Sequence, residues 1–222
     1  MSLSQRLLVA LFRGVTSTIF RIDDAALARV PLNGPAILVT NHINILEIPV
    51  IYSHLQPRPV HGLVLASRWK NPVIGWGLDA CGSIPMVRGG INLDAMRRAL
   101  DVLAAGHFLI IAPEGTRSTD GRLQSGHPGI VPLALKSGAP LLPVGYYGGE
   151  HYKENLKRLR RTDFHLVVGE PFSLVTHGEA VTREVRQQMV DEVMYRLAAI
   201  LPEAYRGNYA GLNLATNKYL QF

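Results

Sequence analysis

The chain of 222 residues is poor in several features, and each shortage closes off a class of function. A single cysteine, Cys81, excludes an internal disulfide and a multi-cysteine metal centre, and it fits a reducing compartment. No His, Cys, Asp or Glu spacing argues for a metal ligand set. The Gly-x-Ser-x-Gly elbow of a nucleophilic serine is missing. Lys136-Ser137 lacks the preceding glycine of a phosphate loop, and Gly75-x-Gly77 lacks a correctly placed third glycine for a dinucleotide fingerprint. Aromatic residues are not interleaved with the basic run at 153–161, and no nucleic-acid reader motif is present. Residues 3–20 are apolar but interrupted by Arg6 and Arg13, so the run is too short to span a bilayer. Arg13 also breaks the apolar region a cleaved signal peptide needs, and no small-residue cleavage site follows.

What remains is a chain with 47% hydrophobic and 18% charged residues, enough apolar material for a sizeable core with some left for lipid contact. The formal net charge of +6 points to acidic partners: an anionic membrane, a phosphorylated substrate, an acidic carrier protein or nucleic acid. The length fits one domain, residues 31–222, preceded by an N-terminal amphipathic helical element, residues 1–30. Read as a helix, the first twenty residues align Leu7, Leu11, Val15 and Ile19 in one stripe with Leu8 and Phe12 beside it. Arg6, Arg13 and Ser17 fall opposite. That is the pattern of a helix lying on a membrane surface or docked on a domain.

Along the rest of the chain, apolar runs alternate with helical periodicity. Strands are expected at 36–40, 61–66, 83–87, 107–111, 141–146 and 164–168. Helices are expected at 47–55, from Asn92 to a stop at Gly106, at 130–137 and at 182–201. Residues 68–77 read as loop or short helix, with Trp69 and Trp76 packing or facing a membrane. Nothing after Pro202 carries a readable motif. Strands alternating with helices predict an α/β fold: a mostly parallel central sheet flanked by helices, with its site in loops at strand ends.

Two polar clusters each follow an apolar strand. The first is Thr40-Asn41-His42-Ile43-Asn44-Ile45-Leu46-Glu47. Residues three or four apart share a helix face and residues five apart do not. His42 and Glu47 therefore meet only if His42 lies in a turn and Glu47 at the start of the next helix, whose first turn tolerates Pro49. A carboxylate on one ring nitrogen fixes the tautomer and leaves the other free to take a proton from a hydroxyl. Taken alone, the pair reads first as a turn histidine and a carboxylate placed to suit a helix dipole, and the second cluster changes that reading. The second cluster is Ala112-Pro113-Glu114-Gly115-Thr116-Arg117-Ser118. It supplies a close-approach glycine, hydroxyls and a planar guanidinium suited to phosphate.

Together the clusters resemble the glycerolipid acyltransferases of the 1-acylglycerol-3-phosphate (lysophosphatidic acid) type. Asn41-His42 resembles motif one, and Pro113-Glu114-Gly115-Thr116-Arg117-Ser118 motif three. Gly82-Ser83-Ile84-Pro85-Met86-Val87-Arg88 looks like motif two, and Ala139-Pro140-Leu141-Leu142-Pro143-Val144 motif four. Order and spacing agree over about residues 33–175. The departures are Glu47 where the family has Asp, Ala112 where it has a bulky apolar residue, and Ser125-Gly126-His127 where it often has a lysine.

The resemblance implies an O-acyltransferase of phospholipid biosynthesis, using no cofactor and no metal. The co-substrate would be acyl-CoA or an acyl-carrier protein, and the acceptor a lysophospholipid or glycerol phosphate, with 1-acylglycerol-3-phosphate foremost. His42 and Glu47 would be catalytic. Arg88, Glu114, Gly115, Thr116 and Arg117 would bind the acceptor phosphate. Peripheral association with an anionic membrane surface on the cytoplasmic side is expected, and no nucleic acid. The rival readings are a non-catalytic lipid-binding protein on the same fold, motivated by Glu47, and a thioesterase or lysophospholipase in which water replaces the acceptor.

Overall fold

A computed structural model describes residues 2–87 and 92–222. Helix α1 (Leu3–Ile19) leads into strand β1 (Phe20–Asp23), and the rest alternates between strands and helices. Strands β2 (Ala36–Val39), β3 (Val60–Leu65), β4 (Ile84–Met86), β5 (Phe108–Ile111), β6 (Leu141–Tyr147) and β7 (Thr162–Val168) join β1 in one sheet of order β1-β7-β6-β2-β5-β3-β4. Pairing is parallel from β6 across to β4; β7 runs antiparallel to β6, and β1 parallel to β7.

The central strand is β2, and all four of its residues are buried. Its side chains alternate between two cores, as strand geometry requires. Ile37 and Val39 pack under helices α4 (Leu93–Ala104), α5 (Ile130–Ser137) and α7 (Arg183–Ile200). Ala36 and Leu38 face the opposite side, under α1 and helix α2 (Glu47–Leu55). A sheet covered on both faces explains the unbroken apolar runs of its inner strands.

The stretch read as loop or short helix contains a 3-10 turn, Ala66–Lys70, followed by helix α3 (Pro72–Ala80). Asn71 caps α3 by accepting the N–H groups of Val73 and Ile74. Trp69 donates to Asp79 at 2.8 Å and so holds its own turn on α3, while Trp76 is exposed. The residues after Pro202 form short 3-10 turns and strand β9 (Leu220–Gln221), which pairs with β8 (Ser173–Leu174). Buried Glu192 of α7 fastens this tail by accepting from Thr216 Oγ1 and from the backbone N–H groups of Lys218 and Tyr219.

The apolar residues of α1 divide between two faces. Leu8 and Thr16 are buried against the domain, with Val9, Phe12 and Ile19 packed beside them. Leu3, Leu7, Leu11 and Val15 point to solvent. Arg13 turns inward, its guanidinium donating to the Ser53 carbonyl at 3.0 Å. The helix is thus docked on the domain by one stripe and presents a second, leucine-rich stripe outward.

Candidate active site

Neighbouring parallel strands bring the two polar clusters together. β2 and β5 are in register at Val39 and Ile111, and the Thr40 N–H continues the ladder to the Ile111 carbonyl at 2.9 Å. Both loops therefore leave the sheet at the same end, side by side. This is the carboxyl end of parallel strands, where ligands bind in open α/β sheets.

The loop after β2 is fixed residue by residue. Buried Asn41 exchanges two hydrogen bonds with the backbone of Tyr146: Nδ2 donates to the carbonyl at 2.8 Å, and Oδ1 accepts the N–H at 2.9 Å. The Tyr146 hydroxyl donates back to the Asn41 carbonyl. Burial holds the Tyr146 hydroxyl far above its ordinary pKa, so it remains a proton donor. Asn44 accepts the Leu46 N–H at 2.8 Å and donates to the Gly149 carbonyl at 3.2 Å, turning the chain into α2.

Glu47 is the first residue of α2 and is 3% exposed. One carboxylate oxygen meets His42 Nδ1. The other accepts the N–H groups of Ile43 and Asn44, each at 2.9 Å. A carboxylate accepts, so Nδ1 carries the proton and Nε2 presents its lone pair. Nε2 has no partner among the described residues, and the His42 side chain is 25% exposed. The longer glutamate spans the turn and reaches both the imidazole and the backbone ahead of it.

Glu114 braces the same turn from the neighbouring strand. Its carboxylate accepts the His42 backbone N–H at 2.8 Å and the Gln124 N–H at 2.9 Å. Ser118 N–H donates to the His42 carbonyl at 2.7 Å, so the second cluster holds both sides of the histidine's backbone. The resemblance implies that Glu114 is among the groups that bind the acceptor; in the structure the residue is 1% exposed and its carboxylate is taken up by the backbone of His42 and Gln124. Burial raises its pKa to about 7, against the pull of the two backbone N–H groups and His42.

The turn beyond Glu114 stays open. Gly115 has φ +63°, and a Cβ there would lie 3.1 Å from His127 Cδ2, so both backbone and space call for glycine. Thr116 and Arg117 are exposed at the rim, and Arg117 has no ion-pair partner among the described residues. Arg88, the last residue of the stretch that resembles motif two, lies outside the described residues. Among the described residues no group of three or more His, Cys, Asp or Glu could hold a metal. The sequence marks Asn41 and Asn44 as polar residues of the hinge and Ser118 as a source of hydroxyl and N–H, but not the partners they bond, and nothing in it marks Gln124 or Tyr146.

The family model described as Acyltransferase matches residues 21–147. The chloroplastic 1-acyl-sn-glycerol-3-phosphate acyltransferase LPAT1 of Arabidopsis thaliana is 30% identical over 132 residues, 58% of this chain and 36% of that protein. The 1-acyl-sn-glycerol-3-phosphate acyltransferase of Bacillus subtilis is 23% identical over 168 residues, 75% of this chain and 81% of that protein. Among solved structures, PlsC from Thermotoga maritima, a 1-acyl-sn-glycerophosphate (LPA) acyltransferase, superposes with a TM-score of 0.63 at 23% identity. The match covers 88% of this chain and 78% of that one, so the fold is shared. This chain spans 36 to 52% of the length of the plant and algal relatives it matches.

Proposed function

This chain belongs to the acyltransferase family, and from that premise we propose that it moves a fatty acyl group from a thioester to the free hydroxyl of a lysophospholipid, 1-acylglycerol-3-phosphate in the first place. The single observation that carries the proposal is the His42–Glu47 pair, its Nε2 open, beside the Glu114–Ser118 turn.

In the proposed reaction, Nε2 takes the acceptor's hydroxyl proton as that oxygen attacks the thioester carbonyl. A carbon–oxygen bond forms, the carbon–sulfur bond breaks, and the proton passes from the imidazolium to the departing thiolate. The products are an ester and a free thiol. Glu47 holds the ring and stabilises the imidazolium, as the acid does in other histidine-based sites. A thioester is already activated, so the chemistry calls for neither metal nor enzyme nucleophile.

Arg117 and Arg88 would clamp the acceptor phosphate, with Gly115 letting the backbone approach and Thr116 offering its hydroxyl. Glu114 would act as a positioning residue that holds His42 in its turn. The donor is acyl-CoA or an acyl-carrier protein. The outward stripe Leu3, Leu7, Leu11 and Val15, with exposed Val73 and Trp76 of α3, supports a peripheral seat on a lipid surface, and the side proposed is the cytoplasmic one. No helix among the described residues is long and apolar enough to cross a membrane.

The test is thiol release and product formation by the purified chain, with both donors and a panel of lyso acceptors. Release that depends on the acceptor and yields the diacyl product supports the proposal. Release of free fatty acid without acceptor makes the chain a thioesterase, and no release with any pair makes it a binding protein.

A further inference from the structure

We propose that the segment 153–161, running from α6 (Tyr152–Lys157) into β7, is a wedge that inserts into an anionic lipid bilayer beside the site; the assignment rests on the reading of the acceptor as a membrane lipid.

Charge is concentrated there. Lys153, Lys157, Arg158, Arg160 and Arg161 stand against one carboxylate, Glu154, a local charge of +4 in a chain whose formal charge is +6. Arg161 is used internally, donating to the Phe20 carbonyl. The side chains of Lys157, Arg158 and Arg160 make no ion pair among the described residues, and Lys153 meets only the ring of Tyr152, at 6.0 Å. The nearest acid on the adjoining strand, Asp163, is already paired with Arg21. Folding leaves these cations free for an outside anion.

Among them sits an apolar tip. Leu159 is 94% exposed and holds φ +54°, a left-handed conformation that leucine rarely adopts; Leu156, one turn earlier, is 47% exposed. The backbone conformation is the left-handed cap that ends α6, with Leu159 N–H donating to the Leu156 carbonyl at 3.0 Å and Arg160 N–H to the Asn155 carbonyl at 2.9 Å, and this cap holds the leucine side chain out in solvent. Cations flanking a projecting leucine match a bilayer interface, with headgroups around and acyl chains below. An acidic carrier protein would be met by the charges alone and gives the leucine no role.

The strand register fixes the position. Tyr147, the last residue of β6, pairs with His165, so Thr162 and the turn before it lie beyond the carboxyl end of β6. Asn41 is bonded to Tyr146 at that same end, and His42 follows it. Ile45, within the His42–Glu47 turn, and Ile48, just after it, are exposed as well. Insertion at 159 therefore sets the histidine's end of the sheet against the surface that holds the acceptor.

The experiment measures partitioning of the full chain onto vesicles of phosphatidylcholine alone and of phosphatidylcholine with phosphatidylglycerol. Leu159→Asn suits the left-handed φ, so folding is not at stake, and it weakens binding to mixed vesicles about tenfold. Changing Lys153, Lys157, Arg158 and Arg160 together to Gln weakens it by about a hundredfold or more and erases the preference for anionic lipid. Both variants keep wild-type transfer to a water-soluble, short-chain lysophosphatidic acid without vesicles. If the wild type fails that assay, the activity reading fails while the partitioning result stands. Unchanged partitioning in both variants overturns the wedge. Unchanged partitioning with lost binding to acyl-carrier protein overturns it in favour of a carrier dock.

Discussion

The carboxylate of Glu114 accepts the backbone N–H of His42 across two strands, at 2.8 Å, and is buried in doing so. A side chain 72 positions away in sequence thus sets where the imidazole stands. Two N–H donors favour the ionised form, burial opposes it more strongly, and the pKa comes to rest at about 7 instead of 4.5.

That shift fixes a sign. Between pH 4.5 and 7 the folded protein holds a proton on Glu114 that the unfolded chain has lost, so this group's contribution falls as pH rises through that window, by about 3 kcal/mol in all. Glu114→Gln removes the dependence. It also leaves only one acceptor for two N–H donors, which costs about 1–3 kcal/mol. Urea midpoints of both proteins from pH 5 to 8 check this: the gap between them narrows as pH rises. A constant gap would contradict the assignment.

Glu47→Asp tests whether the turn is built for the longer side chain. With the backbone held as it is, a carboxylate one methylene shorter is set back from His42 Nδ1 and from the N–H groups of Ile43 and Asn44, which Glu47 engages together. The expected result is a fall in kcat of about tenfold or more with acceptor KM little changed, because the interaction lost is with the imidazolium formed during reaction. Steady-state kinetics decide it, and a rise in kcat would mean the glutamate is a handicap.

Arg117→Ala should raise the KM for a phosphorylated acceptor about tenfold or more and leave kcat within a few-fold. An acceptor without phosphate should show no such change. Equal effects on both acceptors would remove Arg117 from the phosphate clamp.

Much of this was legible in the sequence where the determinants are local. Helices α2 and α5 begin and end at the residues expected, because apolar spacing and flanking breakers act within a few positions. β1 was not legible: its four residues, Phe-Arg-Ile-Asp, form a strand only by lying along β7, some 140 positions on. α1 offers apolar residues on two sides, so periodicity cannot say which side docks. Thr16 is buried there because its hydroxyl donates to the Phe12 carbonyl of its own helix at 2.7 Å. The meeting of His42 and Glu47 follows from a turn and a helix start, both local. The inward aim of Glu114 depends on N–H donors from two other loops, and residue types alone carry no such information.

The central claim is that His42 is the base. The most direct measurement is acceptor-dependent thiol release by the wild type and by His42→Ala, with thermal unfolding followed in parallel. A loss of about a hundred- to ten-thousandfold in kcat at unchanged melting temperature is the predicted result. Turnover within a few-fold of wild type would contradict the account, whatever the geometry around residue 42.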